Sequence, residues 1–424
     1  MPPISARART ARGVLAAAAT LALAAGTSVA AAAVTQAPAG HAVRASPPDY
    51  RRACAMPRKP GVMSCMVLVR TNVPQRPATA LGGKAPVGFG YGRPSLVSAY
   101  KLPPTSKVVN VAVVDAFNDP KAVSNVATYR SSWGLPKCNP STKAGCLTVT
   151  NQNGATSPLP ANSGSTGWAT EESLDVDMVS AICPSCHIFL VEASAPTMAD
   201  LGTAVDSAVK KLKASFVSNS YGGSQSKNDP AFDTKYYKHA GAAIVASAGD
   251  QGYGVSYPAA SQYVVSAGGT SLVKAPRTAR GWTETVWGSV LGVQGTGSGC
   301  SKYEAKPSWQ THSGCSHRID NDVAAVADPN TGVAVYDTYD QGGWLEVGGT
   351  SVSSPIIASV YALAHTVTAG SFPASYPYKH SGDLYDVTVG ANGLCTTAFL
   401  CSAGKGYDGP TGLGTPHGLK AFTG

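Results

Sequence analysis

The chain has 424 residues, 33 Lys and Arg against 24 Asp and Glu for a net charge of +9, 43% hydrophobic residues and only 13% charged ones. That length supports one large domain with a substantial core, and the composition excludes a disordered chain. The positive charge is spread thinly and no Lys/Arg run forms a nucleic-acid patch, so a solvated basic surface without a nucleic-acid partner is expected.

In chain order, the basic residues Arg7, Arg9 and Arg12 precede the apolar run GVLAAAATLALAAG, and small residues follow near Ala30 to Ala33. Residues 1–33 therefore read as a cleavable export signal. Residues 34–90 are rich in Ala, Pro, Gly and Arg, with little periodicity beyond CMVLVRT, and read as a short propeptide or N-terminal arm. No later stretch is long and apolar enough to cross a bilayer. The mature chain is expected to be secreted, soluble and monomeric, with its domain over 91–424.

The ten cysteines agree with export. They fall into close neighbours: Cys54 with Cys65, Cys138 with Cys146, Cys183 with Cys186, Cys300 with Cys315, and Cys395 with Cys401. Even number and local spacing favour structural disulfides, although connectivity does not follow from sequence. The CPSC pair leaves a redox reading open, without a thioredoxin-like context to support it.

From about residue 95, strand-like and helix-like runs alternate. KVVNVAVVDAF is a continuous apolar strand, and KAVSNVATYRSSWG is helix-like. HIFLVEA, the amphipathic TMADLGTAVDSAVKKLKA, SFVSNSYGG, a helix around FDTKYYKHA, AAIVASAGD and YVVSAGGTSL continue the series. This alternation predicts an α/β fold, a mostly parallel sheet with helices on both faces. Sites in such sheets form at the carboxyl ends of strands, where Asp115 and Asp250 stand.

EVGGTSVSSPIIASV places Ser351 behind a Gly-Gly-Thr turn and ahead of an apolar helix, a setting that presents a nucleophile. Serine needs a base. None of His41, His187, His239, His312, His317, His365, His380 and His417 stands in a His-Gly-Thr-His context. Carboxylates are better candidates. ATEESLDVDMVSAICP reads as a helix with Thr170 as N-cap, Pro184 as its end and Leu174, Met178 and Ile182 as its buried stripe. Glu171 and Asp175, four apart, share a face at about 5–6 Å between Cβ atoms, where one carboxyl pKa is raised and a proton can be shared. An acidic, solvated helix face is the bland alternative, and Glu172 and Asp177 partly support it.

Together, Glu171-x-x-x-Asp175, Asp250 in SAGDQG, Ser351 in GGTSVSSP, and the stretches YPAASQYVVSAGGTSL, ETVWG, GTGSGCSKYEAKPSWQ and AVADPNTG resemble the sedolisin, or serine-carboxyl peptidase, family from about residue 90 onward. The resemblance implies a subtilisin-like fold and hydrolysis of peptide bonds in acid. It implies Ser351 as nucleophile, Glu171 as general base and acid, Asp175 as its orienting partner and Asp250 as donor to the oxyanion. It further implies Asp115 as a supporting acid and Ser220, Tyr221 and Gly222 of SNSYGG as the strand that pairs with a protein or peptide substrate. An aspartate can donate only when protonated, and its ordinary pKa is about 3.9, so an acidic optimum is expected.

LYDVTVGANG and SAGKGYDGPTGLGTP complete the resemblance with a calcium site. Asp386 and Asp408 would give carboxylates, and Val387, Gly404 and Gly406 carbonyls, the oxygen set that Ca²⁺ prefers. Two features depart from the family. About 60 residues between signal and domain are too few for a full prodomain, and CPSC is an insertion after the helix. Other readings are a tripeptidyl-peptidase of the same family, a neutral or alkaline subtilisin-like protease using a histidine, or a catalytically inactive secreted peptide-binding domain.

Overall fold

A computed structural model describes residues 49–424 apart from Arg58, 78–83 and 85–87; the expected export signal lies outside the described residues. Residues 48–424 form one compact unit.

The central sheet has eight strands. Along it lie Trp282–Val286, Val265–Lys274, Ala243–Ser247, Phe216–Asn219, Asn110–Ala116, His187–Ala193 and Leu147–Asn151, and Val323–Val326 pairs beside Val265–Lys274. All neighbours run parallel except Trp282–Val286. The reason is visible in the sequence. In Asn110–Ala116 every residue after Asn110 is buried, the pattern of a strand covered on both faces. Helices flank the sheet. Met198–Lys210 packs on His187–Ala193 and Asn110–Ala116, while Thr350–Ala364 packs on Phe216–Asn219, Ala243–Ser247 and the helix Trp168–Ile182.

Local details differ from expectation. In place of one helix around FDTKYYKHA, a short α-turn, Asp229–Phe232, runs into a π-helical turn, Asp233–Tyr237. The helix Trp168–Ile182 begins three residues earlier than read, after Gly167 in the left-handed region at φ +89°. Thr170 is therefore not its cap; its hydroxyl donates to Asp337 Oδ2 at 2.9 Å. Nor is there a solvated acidic face: all fifteen residues of this helix are buried, Glu172 and Asp177 included. Glu172 Oε2 accepts the Asp119 N–H at 3.0 Å, and Asp177 Oδ2 accepts the Tyr336 N–H at 2.9 Å.

The cysteines pair as five disulfides between near neighbours, with separations of 11, 8, 3, 15 and 6 residues. Cys183 and Cys186 are bonded and fully buried, a structural bridge rather than an accessible redox pair. The described part of the N-terminal arm is built into the domain. It contributes the strands Tyr50–Arg52, Ser64–Cys65 and Leu68–Arg70, which pair with one another or with distant strands of the domain.

Candidate active site

Four elements converge on one point. The strand Gly343–Gly348 leads through Gly349 into the helix Thr350–Ala364, so Ser351 is its second residue. Gly349 has φ +98°, a conformation that favours glycine. The strand Ala243–Ser247 delivers Asp250, Phe216–Asn219 delivers Ser220, and Trp168–Ile182 carries Glu171 and Asp175. Glu171, Asp175, Asp250 and Ser351 are all fully buried.

Asp250 is held by the residue before the serine. Its Oδ1 accepts both the N–H and the hydroxyl of Thr350 at 2.8 Å, while its buried Oδ2 has no partner. Burial raises its pKa to about 6 against the opposing effects of Arg52 and the Thr350 hydrogen bonds. Below about pH 6 this carboxyl carries a proton, and its unpartnered oxygen is free to donate.

Glu171 is raised well above its usual range by burial and then by the charges of Asp175 and Asp115. The Ser351 hydroxyl lies close enough to favour its ionised form, yet neither Glu171 oxygen receives a bond of full hydrogen-bonding geometry. Ser351 Oγ instead donates to the Ser220 carbonyl at 3.3 Å. Asp175 is raised by burial and by Asp115, and is opposed by two hydroxyls. Ser220 Oγ lies 2.8 Å from each Asp175 oxygen, and Ser218 Oγ donates to Oδ2 at 3.4 Å. Asp115 sits in its strand with both oxygens buried and unpartnered, pushed up to about 8 by burial. The arrangement can store protons on carboxyls and pass one to or from a serine.

Sequence reading missed three supports. Ser220 was singled out for its backbone, but its hydroxyl orients Asp175. Thr350 holds Asp250, and Ser218 assists. Each is a small hydroxyl residue whose partner lies far away in sequence, so local pattern gives no signal. Tyr221 is a core side chain, its hydroxyl donating to Asn219 Oδ1 at 2.8 Å. The backbone of Tyr221 and Gly222 is paired with the arm strand Ser64–Cys65. The histidines of the described residues lie elsewhere: His187 pairs with Thr148, His239 with Asp206, and His312 and His417 stack on Phe399 and Tyr385.

The C-terminal loop brings together the two carboxylates expected to hold Ca²⁺. Asp386 Oδ2 accepts the Gly406 N–H at 2.8 Å and Asp408 Oδ2 the Gly404 N–H at 3.1 Å, which draws both carboxylates onto the glycine-rich turn. Among the described residues no cluster of three His, Cys, Asp or Glu forms, so carbonyl oxygens would complete any donor set. That all-oxygen chemistry suits Ca²⁺ and not zinc.

The fold and these elements define a subtilisin-like α/β protein with a mostly parallel central sheet. The subtilase family model matches residues 142–376, and the chain belongs to that family. It is 32% identical over 281 residues to kumamolisin of Bacillus sp. (strain MN-32), covering 59% of this chain and 50% of that protein. It is 28% identical over 347 residues to sedolisin of Pseudomonas sp. (strain 101), covering 74% and 57%. The chain thus spans about half the length of the curated relatives it matches. Among solved structures, Pseudomonas sedolisin, a serine-carboxyl proteinase complexed with pseudo-iodotyrostatin, aligns at TM-score 0.65 and 24% identity, over 78% of this chain and 96% of that one. This last likeness is one of fold. Among the described residues no helix is long and apolar enough to cross a membrane.

Proposed function

We propose that the protein is a secreted serine-carboxyl endopeptidase that hydrolyses peptide bonds in acid. One observation carries the reading: Ser351, Asp250 and the helical pair Glu171 and Asp175, three regions distant in sequence, meet in a buried site where burial raises every carboxyl pKa. The reactive form has Glu171 ionised, the state that the Ser351 hydroxyl favours; Ser351 Oγ attacks the scissile carbonyl carbon while its proton passes to Glu171. The developing oxyanion receives a hydrogen bond from protonated Asp250 Oδ2. Glu171 then gives its proton to the leaving amine, and water reverses the sequence on the acyl-enzyme. Asp175, fixed by Ser220, orients Glu171 and holds charge near it. Asp115 adds a neutral carboxyl behind the pair. The five disulfides support secretion.

Ca²⁺ at Asp386, Asp408 and the carbonyls of Val387, Gly404 and Gly406 would brace the C-terminal loop and take no part in bond cleavage. The test is casein hydrolysis at about pH 4, near the ordinary carboxyl pKa, by wild type, Ser351→Ala and Glu171→Gln. Both variants should fall to background. Undiminished proteolysis by pure Ser351→Ala would remove the assigned nucleophile.

A further inference from the structure

A cavity of about 360 Å³ lies between the helix Ala122–Ser132 and the loop over 135–147. None of Ser351, Glu171, Asp175 and Asp250 lines it. The helix supplies Val123, Val126, Ala127 and Arg130, whose spacing of three and four residues puts them on one face. Leu135 and Leu147 complete the apolar wall. The Cys138–Cys146 disulfide closes the loop, and Cys138 itself borders the cavity. Three apolar residues of the helical face therefore lead to one cation.

That cation is buried and short of partners. Arg130 is only 5% exposed. Its Nη2 donates to the carbonyls of Pro136 at 2.6 Å and Pro184 at 2.8 Å. Those bonds use Nη2 alone, while Nε and Nη1 are buried with no acceptor. Among the described residues Arg130 forms no ion pair. Burial lowers its pKa to about 10 against the opposing charge of Asp177, so it remains a cation at neutral pH and in acid. Asp177 is itself raised well above the usual carboxyl range by burial and already accepts the Tyr336 N–H. The guanidinium stands at the cavity wall beside Gly145, where an added methyl would collide with Nη2 and lie 3.0 Å from Cζ. A buried charge with idle donors and no counter-charge is costly to fold, and an anion in the cavity would offset that cost.

We propose that this cavity binds a small aliphatic carboxylate, with its head on Arg130 and its chain along Val123, Val126, Ala127, Leu135 and Leu147. The head follows from charge. One enclosed guanidinium matches one negative charge, whereas a dianionic phosphate would leave surplus charge buried. The chain length follows from the helix. Val123 is 60% exposed and marks the mouth, and Arg130 lies seven residues further on, about 10 Å along the axis, the span of an extended chain of about eight carbons. Lys137, exposed at the cavity's edge, adds attraction for an anion. The helix Ala122–Ser132 packs on Trp168–Ile182, the helix of Glu171 and Asp175, and Arg130 bonds the Pro184 carbonyl just beyond its end. An occupied cavity thus braces the element that supports the catalytic helix. The site stands apart from the peptidase reading and does not depend on it.

The test is calorimetric titration of the full Ser351→Ala chain with sodium octanoate at about pH 6, where an ordinary carboxyl is ionised. One octanoate should bind per chain. Octanol, the same chain without the charge, should bind at least about tenfold more weakly, since it cannot form a charged pair with Arg130. Arg130→Gln should weaken octanoate by about tenfold or more, to the level of octanol. That variant also gives up the bonds to Pro136 and Pro184, so Ala127→Trp supplies a second arm. It keeps the guanidinium, fills the cavity, and should abolish binding while melting like its parent. Absence of saturable binding, equal affinity for octanoate and octanol, or several molecules bound per chain overturns the inference. So does octanoate binding that is unchanged in Arg130→Gln or in Ala127→Trp. Casein hydrolysis by the wild type judges the peptidase reading separately.

Discussion

The Ser220 hydroxyl lies 2.8 Å from both carboxyl oxygens of Asp175, and its own carbonyl receives the hydroxyl of Ser351. One residue thus touches the supporting acid through its side chain and the nucleophile through its backbone. Ser220→Ala leaves Asp175 with only the long Ser218 contact and removes a hydrogen bond that favours its ionised form. Loss of one bond to a charged group, about 1.5 kcal/mol, should lower kcat about tenfold. KM should hold within about twofold, because no group that binds substrate is lost, and steady-state kinetics on a peptide substrate measure the split.

Asp250 donates only while protonated, and burial places its pKa at about 6. kcat/KM should therefore decline as pH rises through about 6. Asp250→Ala should cost about 10²–10³-fold in kcat at acidic pH, the usual value of one oxyanion donor. A pH–rate profile of both proteins checks this, and an optimum above pH 7 would contradict it.

Stability should also favour acid. Burial raises Asp115 to about 8, Asp119 to about 7, Glu192 to about 9 and Asp320 to about 6. A carboxyl raised on folding contributes stability that is complete below its unfolded value, about 4, and is lost as pH climbs through its folded value. The Tm of Ser351→Ala, used to prevent self-digestion, should fall by several degrees between pH 5 and pH 9. A Tm that rises across this window would show that these carboxyls are not buried as protonated acids.

A calcium ion bound by the folded loop alone adds about 2.7 kcal/mol at a hundredfold excess over its Kd. Chelator should lower the Tm of Ser351→Ala, and Asp386→Asn with Asp408→Asn should lower it equally and make it indifferent to chelator. Calorimetry with and without added Ca²⁺ reads both effects.

The sheet was legible because VAVV and AIVA are continuous buried runs bounded by turns, and the Glu171–Asp175 pair because helical spacing puts both on one face. The burial of the whole helix was not legible. Glu172 and Asp177 look solvated in any periodic reading, and their partners, Asp119 and Tyr336, lie 53 and 159 residues away. The arm defeated local pattern for the same reason. Its short strands carry little period of their own and take their form from residues 220–222 and 347–348.

The disulfides have a consequence for how the chain becomes oxidised. Each closes within 15 residues and none overlaps another along the sequence. A loop of about ten residues closes in about 10–100 ns, so the native partner is also the thiol each cysteine meets most often. Correct pairing can follow from proximity before the sheet assembles. The molecule should regain all five bridges from the reduced state with little reshuffling.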